Sequence, residues 1–352
     1  VDELLHTSGE EHNKQAYYTH IISTIIEVGE ANGFIEALCS LIKRMAVDCL
    51  HVVGDIYDRG PHADRIMEML CAHHRVDVQW GNHDILWMGA ASGSRTLVAT
   101  VLSNSIRYNN LDVIETGYGI SLRPLSIFAN EVYRDCDTSC FNIKMTNLDA
   151  KQYTEKDKLL SARMYKAITI ILFKLEGAKV LRRPEYGMED RALLHRINYE
   201  NKTINIGGVD YPLLDCDFPT VDPANPYELT PEESKVIDQL TESFRHSEKL
   251  QKHTRFLYSK GSLYKTINGN LLLHSCVPMT EDGKLQSFTI SGTALSGKAF
   301  MDYADKTARQ AYYHKRGTPE REFGMDFLWW LWAGRNSPIF GRDRMAPFER
   351  RF

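Results

Sequence analysis

The sequence predicts an α/β protein built on a βαβ unit and interrupted by a long, mostly helical insertion. Two observations carry this. Two short apolar runs, "CLHVV" at 49–53 and "RVDVQW" at 75–80, each stop at a glycine and are separated by a helical pattern. Helical periodicity then dominates for about 165 residues, and the pattern returns to strands near residue 262.

Taken in order, Ile21, Ile22, Ile25, Ile26, Phe34, Leu38, Leu41 and Ile42 recur at helical spacing, with a break expected near Gly33. After the first strand, Pro61 should sit in the first turn of a helix carrying Ile66, Met69 and Leu70. A strand–helix–strand unit implies parallel pairing, which brings the loops that follow both strands to one edge, where open α/β sheets bind their ligands. Leu160, Met164, Ile168, Ile171 and Leu175 line one face of a helix over 155–176. "KTINIGGVDYPLL" at 202–214 predicts a hairpin turning at Gly207 and Gly208, and Thr230 with Glu233 forms a capping box. "SLYKTINGNLLLHSCVP" at 262–278 predicts a hairpin turning at Asn268-Gly269, its second strand running into His274. A helix over 294–314 and the run "FLWWLW" at 327–332 follow. The divisions expected are 1–94 (N-terminal helices and part of the core), 95–260 (the insertion) and 261–352 (return to the core).

Composition is that of a globular chain: 43% apolar and 25% charged over 352 residues. A formal charge of −4 gives no global attraction to nucleic acid or an anionic membrane, so neither is expected as a partner, and an anionic substrate must be held locally. The longest apolar run, "AITIILF" at 167–173, is far shorter than the roughly 20 residues that span a bilayer. Seven cysteines without a C-x-x-C pair are expected to be reduced thiols of a cytoplasmic protein.

The chemistry sits at the two strand ends. "GDIYDRG" at 54–60 and "GNHD" at 81–84 concentrate carboxylate, amide, imidazole and guanidinium groups there, and His274 ends a later strand. Asp55 can bridge two cations, and Asn82 and His274 offer neutral ligands. Arg59 presents a fork suited to phosphate, His83 a proton donor, and Asp84 a partner to fix the imidazole tautomer. The set suits a two-metal phosphoester hydrolase, in which His83, Asp84 and Arg59 act on the substrate. Taken singly, each has an ordinary alternative: Asp58-Arg59-Gly60 as a helix-entry turn with a surface ion pair, His83 or His274 as a loop histidine. Arg182, Arg183 and Arg191 read as a solvated face or as contacts to an anionic sugar, and the tryptophans as packing or as an interface between copies in a homo-oligomer.

These motifs resemble the signature of calcineurin-like metallophosphoesterases, GD-x-x-DRG followed by GNH[DE]. "VVGDIYDRGP", "VQWGNHDILWMGAA", "RYNNLD", "YGISLRPL", "RRPEYGMEDR", "SEKLQKHTRFLYSKGSLY", "GNLLLHSCVPM" and "SPIFGRDRMAPFER" are more closely similar to the class III fructose-1,6-bisphosphatases of Firmicutes and related bacteria. The resemblance implies a metallophosphoesterase core and Mn²⁺-dependent hydrolysis of the 1-phosphate of fructose 1,6-bisphosphate in gluconeogenesis. It also implies Asp55 as bridging ligand, Asn82 and His274 as ligands of one metal, His83 with Asp84 as an acid dyad, Asp58 just outside the ligand shell, and Arg59 as phosphate contact. The D-x-H and late GH motifs of that family are absent, so the chain is expected to be an internal piece of a longer protein. The alternatives are a related phosphoesterase acting on proteins or nucleotides, and a binding protein without a metal.

Overall fold

The computed structural model describes residues 15–145, 153–290 and 292–341. The closing Arg-rich segment, the earliest histidines, His6 and His12, and most of "SPIFGRDRMAPFER" lie outside them. The chain divides into two compact units, residues 1–51 with 73–77, and residues 52–72 with 78–352.

In the first unit, helices α1 (Gln15–Glu27) and α2 (Ala31–Ala46) break at Gly29, whose φ of 78° favours glycine, and Gly33 lies inside α2. The break expected at Gly33 therefore falls one turn earlier. Asp77, nearly buried, is satisfied by His51 Nδ1 at 2.8 Å and by the Cys49 thiol at 3.6 Å. The Leu50 amide donates to the Arg75 carbonyl at 3.1 Å, and Arg75 pairs with Asp48 at 2.9 Å.

The strands form a three-stranded sheet in the order β1 (Leu50–Val52), β2 (Val76–Gln79), β6 (Gly261–Ser262), and β2 and β6 run parallel. Helix α3 (Ala63–Ala72) follows β1, and it starts two residues after Pro61, not on it, because His62 turns with φ 63°. Helix α4 (Asn82–Ser92) follows β2 and is buried on almost every side; Gly93 caps it with φ 96°. It packs against α5 (Arg95–Arg107), α8 (Pro231–His246), α9 (Glu248–Lys260), α10 (Gly297–Tyr313) and α11 (Pro319–Ala333).

Residues 95–260 are mainly helical, as the periodicity predicts. They comprise α5, α6 (Arg123–Val132), α7 (Glu155–Arg182), α8 and α9, with an antiparallel sheet of β3 (Ile197–Asn198), β4 (Thr203–Ile206) and β5 (Val209–Pro212). Thr230 and Glu233 close the expected capping box. The hairpin β7 (Tyr264–Ile267) and β8 (Asn270–Leu273) turns at Asn268 and Gly269, both with positive φ, and delivers His274. A second hairpin, β9 (Ser287–Ile290) and β10 (Thr293–Ser296), takes the place of the first turn of the helix expected from 294.

The "FLWWLW" residues are a turn and a half of α11 and are buried in this unit, none more than 6% exposed, so they are core and not a surface between copies. Of the arginines read as a solvated or sugar-facing set, Arg182 is solvated but ion-paired, while Arg183 and Arg191 are largely covered. Arg182 and Arg183 bind Asp326 of α11 at 2.8 Å together with the buried Lys179, and Arg191 is buried with its guanidinium on the Ala333 carbonyl. Lys166 and Lys174, fully buried on α7, likewise meet Asp215 and Glu233 at 2.8 and 2.7 Å.

Burial raises the Asp326 carboxyl, but Lys179, Arg182 and Arg183 outweigh it and hold the group below its ordinary value. Its stabilisation is therefore present above about pH 4 and is lost as pH falls through the folded value. Asp326→Asn, which leaves Lys179 buried without its counter-charge, should cost about 3–5 kcal/mol in urea unfolding at pH 7. That deficit should shrink at pH 3, and an undiminished one would contradict the assignment.

Candidate metal centre

All the side chains singled out at the strand ends lie in the second unit, where they meet. The arrangement starts with two glycines. Gly54 has φ 89°, and a Cβ on it would run into the Gly81 backbone; a Cβ on Gly81 would overlap the Asp55 amide and carboxylate. The GD and GN loops thus interlock at a distance only glycine permits. Asp55 itself takes φ 58°, a left-handed conformation uncommon outside glycine.

Asp84, fully buried, holds the loops in this form. Its carboxylate accepts from the Asp55 amide at 2.8 Å, Ile56 at 3.0 Å, Tyr57 at 3.4 Å and Gly81 at 2.9 Å, the last being the reach-back of a capping box at the start of α4. Burial pushes its carboxyl up to about 6, against the pull of these donors and with help from the Asp55 charge. The expected pairing of Asp84 with the His83 ring does not describe this arrangement, because the carboxylate is engaged with backbone. It is Asp58 Oδ1 that lies 2.9 Å from His83 Nε2, and Arg59 Nε approaches the same oxygen at 3.3 Å. Both are ion-pair approaches without hydrogen-bond alignment, and Asp58 Oδ1 remains a buried acceptor that receives no hydrogen bond. The His83 ring is mostly covered and stands edge-on to Trp332, 5.4 Å between centroids.

Asp55 Oδ1 accepts the His83 amide at 3.0 Å, which leaves Oδ2 facing outward. That oxygen lies 3.5 Å from His274 Nε2, and Asn82 Oδ1 lies 3.2 Å from the same nitrogen. His274 Nδ1 is 2.6 Å from the Val53 carbonyl, which can only accept, so Nδ1 carries a proton and the lone pair of a neutral ring would lie on Nε2.

The sequence model of the Firmicute fructose-1,6-bisphosphatase family matches residues 1–352. The chain belongs to that family. It is 49% identical to a protein named fructose-1,6-bisphosphatase class 3 from Clostridium botulinum (strain Okra / Type B1), over all of this chain and 52% of that protein. Proteins of the same name from Clostridioides difficile (50%) and Alkaliphilus metalliredigens (49%) are matched over all of this chain and 53% of their length. This bisphosphatase-family chain thus spans about half the length of the curated relatives it matches. No solved structure matches it.

The donor set fits divalent cations. His274 Nε2 lies within 3.5 Å of both Asp55 Oδ2 and Asn82 Oδ1, and a neutral ring there would complete a set of one imidazole nitrogen and two oxygens suited to a divalent cation. The ligand atoms of Asp55, Asp58 and His83 form a second group within 4.8 Å, and it contains the orphaned Asp58 oxygen. Carbonyl anchoring of the distal His274 nitrogen is the usual way a metal-ligating imidazole is fixed.

A chain of hydrogen-bonded groups, buried as far as His253 and ending at the partly exposed Glu68, went unread in the sequence. Tyr57, stacked on Trp87 at 4.9 Å, bonds Tyr118 through the hydroxyls at 2.7 Å; Tyr118 meets His253 Nδ1 at 3.0 Å, and His253 Nε2 meets Glu68 at 2.9 Å. Three of its members, Tyr57, Tyr118 and His253, lie in stretches whose likeness to the family was already visible, "VVGDIYDRGP", "YGISLRPL" and "SEKLQKHTRFLYSKGSLY".

Gly81→Ala should displace Asp55 without touching a metal-ligand atom chemically. In the full-length protein, metal per chain measured by plasma emission should drop by more than half while the far-ultraviolet circular dichroism stays as in wild type. Full metal content in this variant would show that the close approach of the loops is dispensable.

Proposed function

We propose that the full-length protein hydrolyses the 1-phosphate of fructose 1,6-bisphosphate, with Mn²⁺ as its metal, in the cytoplasm, and that residues 95–260 are an insertion in a calcineurin-like metallophosphoesterase core. The observation that carries the reading is the convergence of Asp55, Asn82 and His274 beside Asp58, His83 and Arg59, in a chain that belongs to this bisphosphatase family. The curated relatives bear the corresponding name.

Asp55, Asn82 and His274 would hold one cation, and Asp55 with Asp58 and the His83 ring border the place of a second. A divalent pair held by these residues would supply an acidified water and offset phosphoryl charge. The chain's own groups do the rest. Arg59, half-exposed with its guanidinium stacked 4.4 Å over the Tyr108 ring, is free to turn its N–H fork on an equatorial phosphoryl oxygen. His83 delivers a proton to the leaving sugar oxygen, its Nε2 held 2.9 Å from the Asp58 carboxylate. Trp332, in edge contact with the ring, keeps the imidazole from swinging away and excludes water on that side.

The direct check is phosphate release from fructose 1,6-bisphosphate by the full-length protein with Mn²⁺. Asp55→Asn should reduce it by at least about a hundredfold, on the scale of losing a transition-state charge partner, and excess chelator should abolish it. Undiminished release after both treatments sinks the reading. Activity confined to phosphoproteins or nucleotides would keep the metal chemistry and reject the substrate.

A further inference from the structure

Tyr108 stands in the wall of the cleft that also contains Asp58, Arg59 and His83. Three cations gather on its ring: Arg59 at 4.4 Å, Lys144 at 5.2 Å and Arg107 at 5.4 Å from the centroid. Among the described residues no carboxylate pairs with Arg107 or Lys144. Arg107 Nε is buried without an acceptor, and so is Asn104 Nδ2, which lines the same cleft one helical turn before Arg107. The Lys144 amide is tied to the Arg107 carbonyl at 2.7 Å, so the two cations are held as neighbours through the backbone.

Like charges collected on one ring, with donors left open, are costly unless an anion joins them. Tyr108 relieves only part of this through its π face. Arg59 is engaged toward Asp58 and the centre, whereas Arg107 and Lys144 stand on the Tyr108 ring with no such tie. Asn109, with φ 53°, lets the chain turn after the ring and returns Asn110 to bond the Gly60 carbonyl at 3.2 Å, which fastens this wall to the GDIYDRG loop.

We propose that Arg107 and Lys144, seated on Tyr108, form a second anion subsite that takes the phosphate not being hydrolysed, with Asn104 donating to the substrate between the two phosphates. This rests on the sugar-bisphosphate reading above and deepens it: the protein selects a bisphosphate because the distal phosphate completes this cluster. "RYNNLD" at 107–112, a stretch the metal chemistry leaves unexplained, then acquires a role.

The test compares fructose 1,6-bisphosphate with fructose 1-phosphate in the full-length protein with Mn²⁺. Wild type should favour the bisphosphate in kcat/KM by tenfold or more. Arg107→Ala should raise KM for the bisphosphate by roughly tenfold, the loss of one charge-assisted contact, with kcat changed far less, and bring the preference toward one. Lys144→Ala, an exposed substitution that does not threaten folding, should move the preference in the same direction. Arg107→Lys should recover part of it. A preference that survives both alanine substitutions overturns the subsite while leaving the bisphosphatase reading intact. Wild type that cleaves both sugars equally also overturns it, and wild type that cleaves neither rejects the substrate reading together with it.

Discussion

One buried carboxylate organises the candidate site. Asp84, at the third position of α4, gathers amides from two loops, three from the GD loop and one from its own helix start. A charge in that position is costly to bury, and the oriented N–H dipoles and the open end of the helix offset the cost. Everything nearby inherits its position from this. Asp55 keeps its left-handed backbone because its amide is held, and Gly54 and Gly81 make room for the approach. With the loop fixed, Oδ2 of Asp55 points at His274 and Asn82, and Asp58 comes to lie beside His83.

The rest of the unit braces this arrangement from behind. Helix α4 is surrounded by other helices, so its first turn has little freedom to shift. The hydroxyl and imidazole chain from Tyr57 to Glu68 ties the middle of the GDIYDRG loop to α9 and α3. Farther away, buried lysines of α7 paired with carboxylates fix the long helix against α8 and α11. Such pairs stabilise little in net terms compared with apolar packing, but each makes one register of the helices much better than its neighbours.

Much of this was legible in the sequence, and the exceptions have physical causes. Glycine at both strand ends, the Asn268-Gly269 turn and the Thr230 capping box act locally, so their structural outcome follows from a few adjacent residues. Asp55 and Asn82 follow strands of one sheet, which is why their loops share an edge, whereas His274 arrives from the separate antiparallel β7–β8 hairpin and was placed by the family resemblance. The role given to Asp84 rested on its adjacency to His83, yet neighbours on a helix point roughly 100° apart, and only a residue from the other loop could reach the ring. Asp58 fills that position. The β9–β10 hairpin escaped notice because its strands are only four residues long and no residue in them is buried, so the helical spacing after 294 dominated the reading. The partners of Arg182, Arg183 and Arg191 were unreadable because they lie more than 140 residues away in sequence, on α11.

The central claim is that Asp84 acts by clamping the two loops and hence the metal ligands, not by serving the His83 ring. Asp84→Asn in the full-length protein separates the two roles, since an amide nitrogen would face backbone N–H groups that need an acceptor. Metal content and phosphate release should be measured on the same preparation. The clamp predicts that bound metal and turnover fall together. Full metal occupancy with lost turnover and a displaced pH profile would contradict it and return Asp84 to the imidazole.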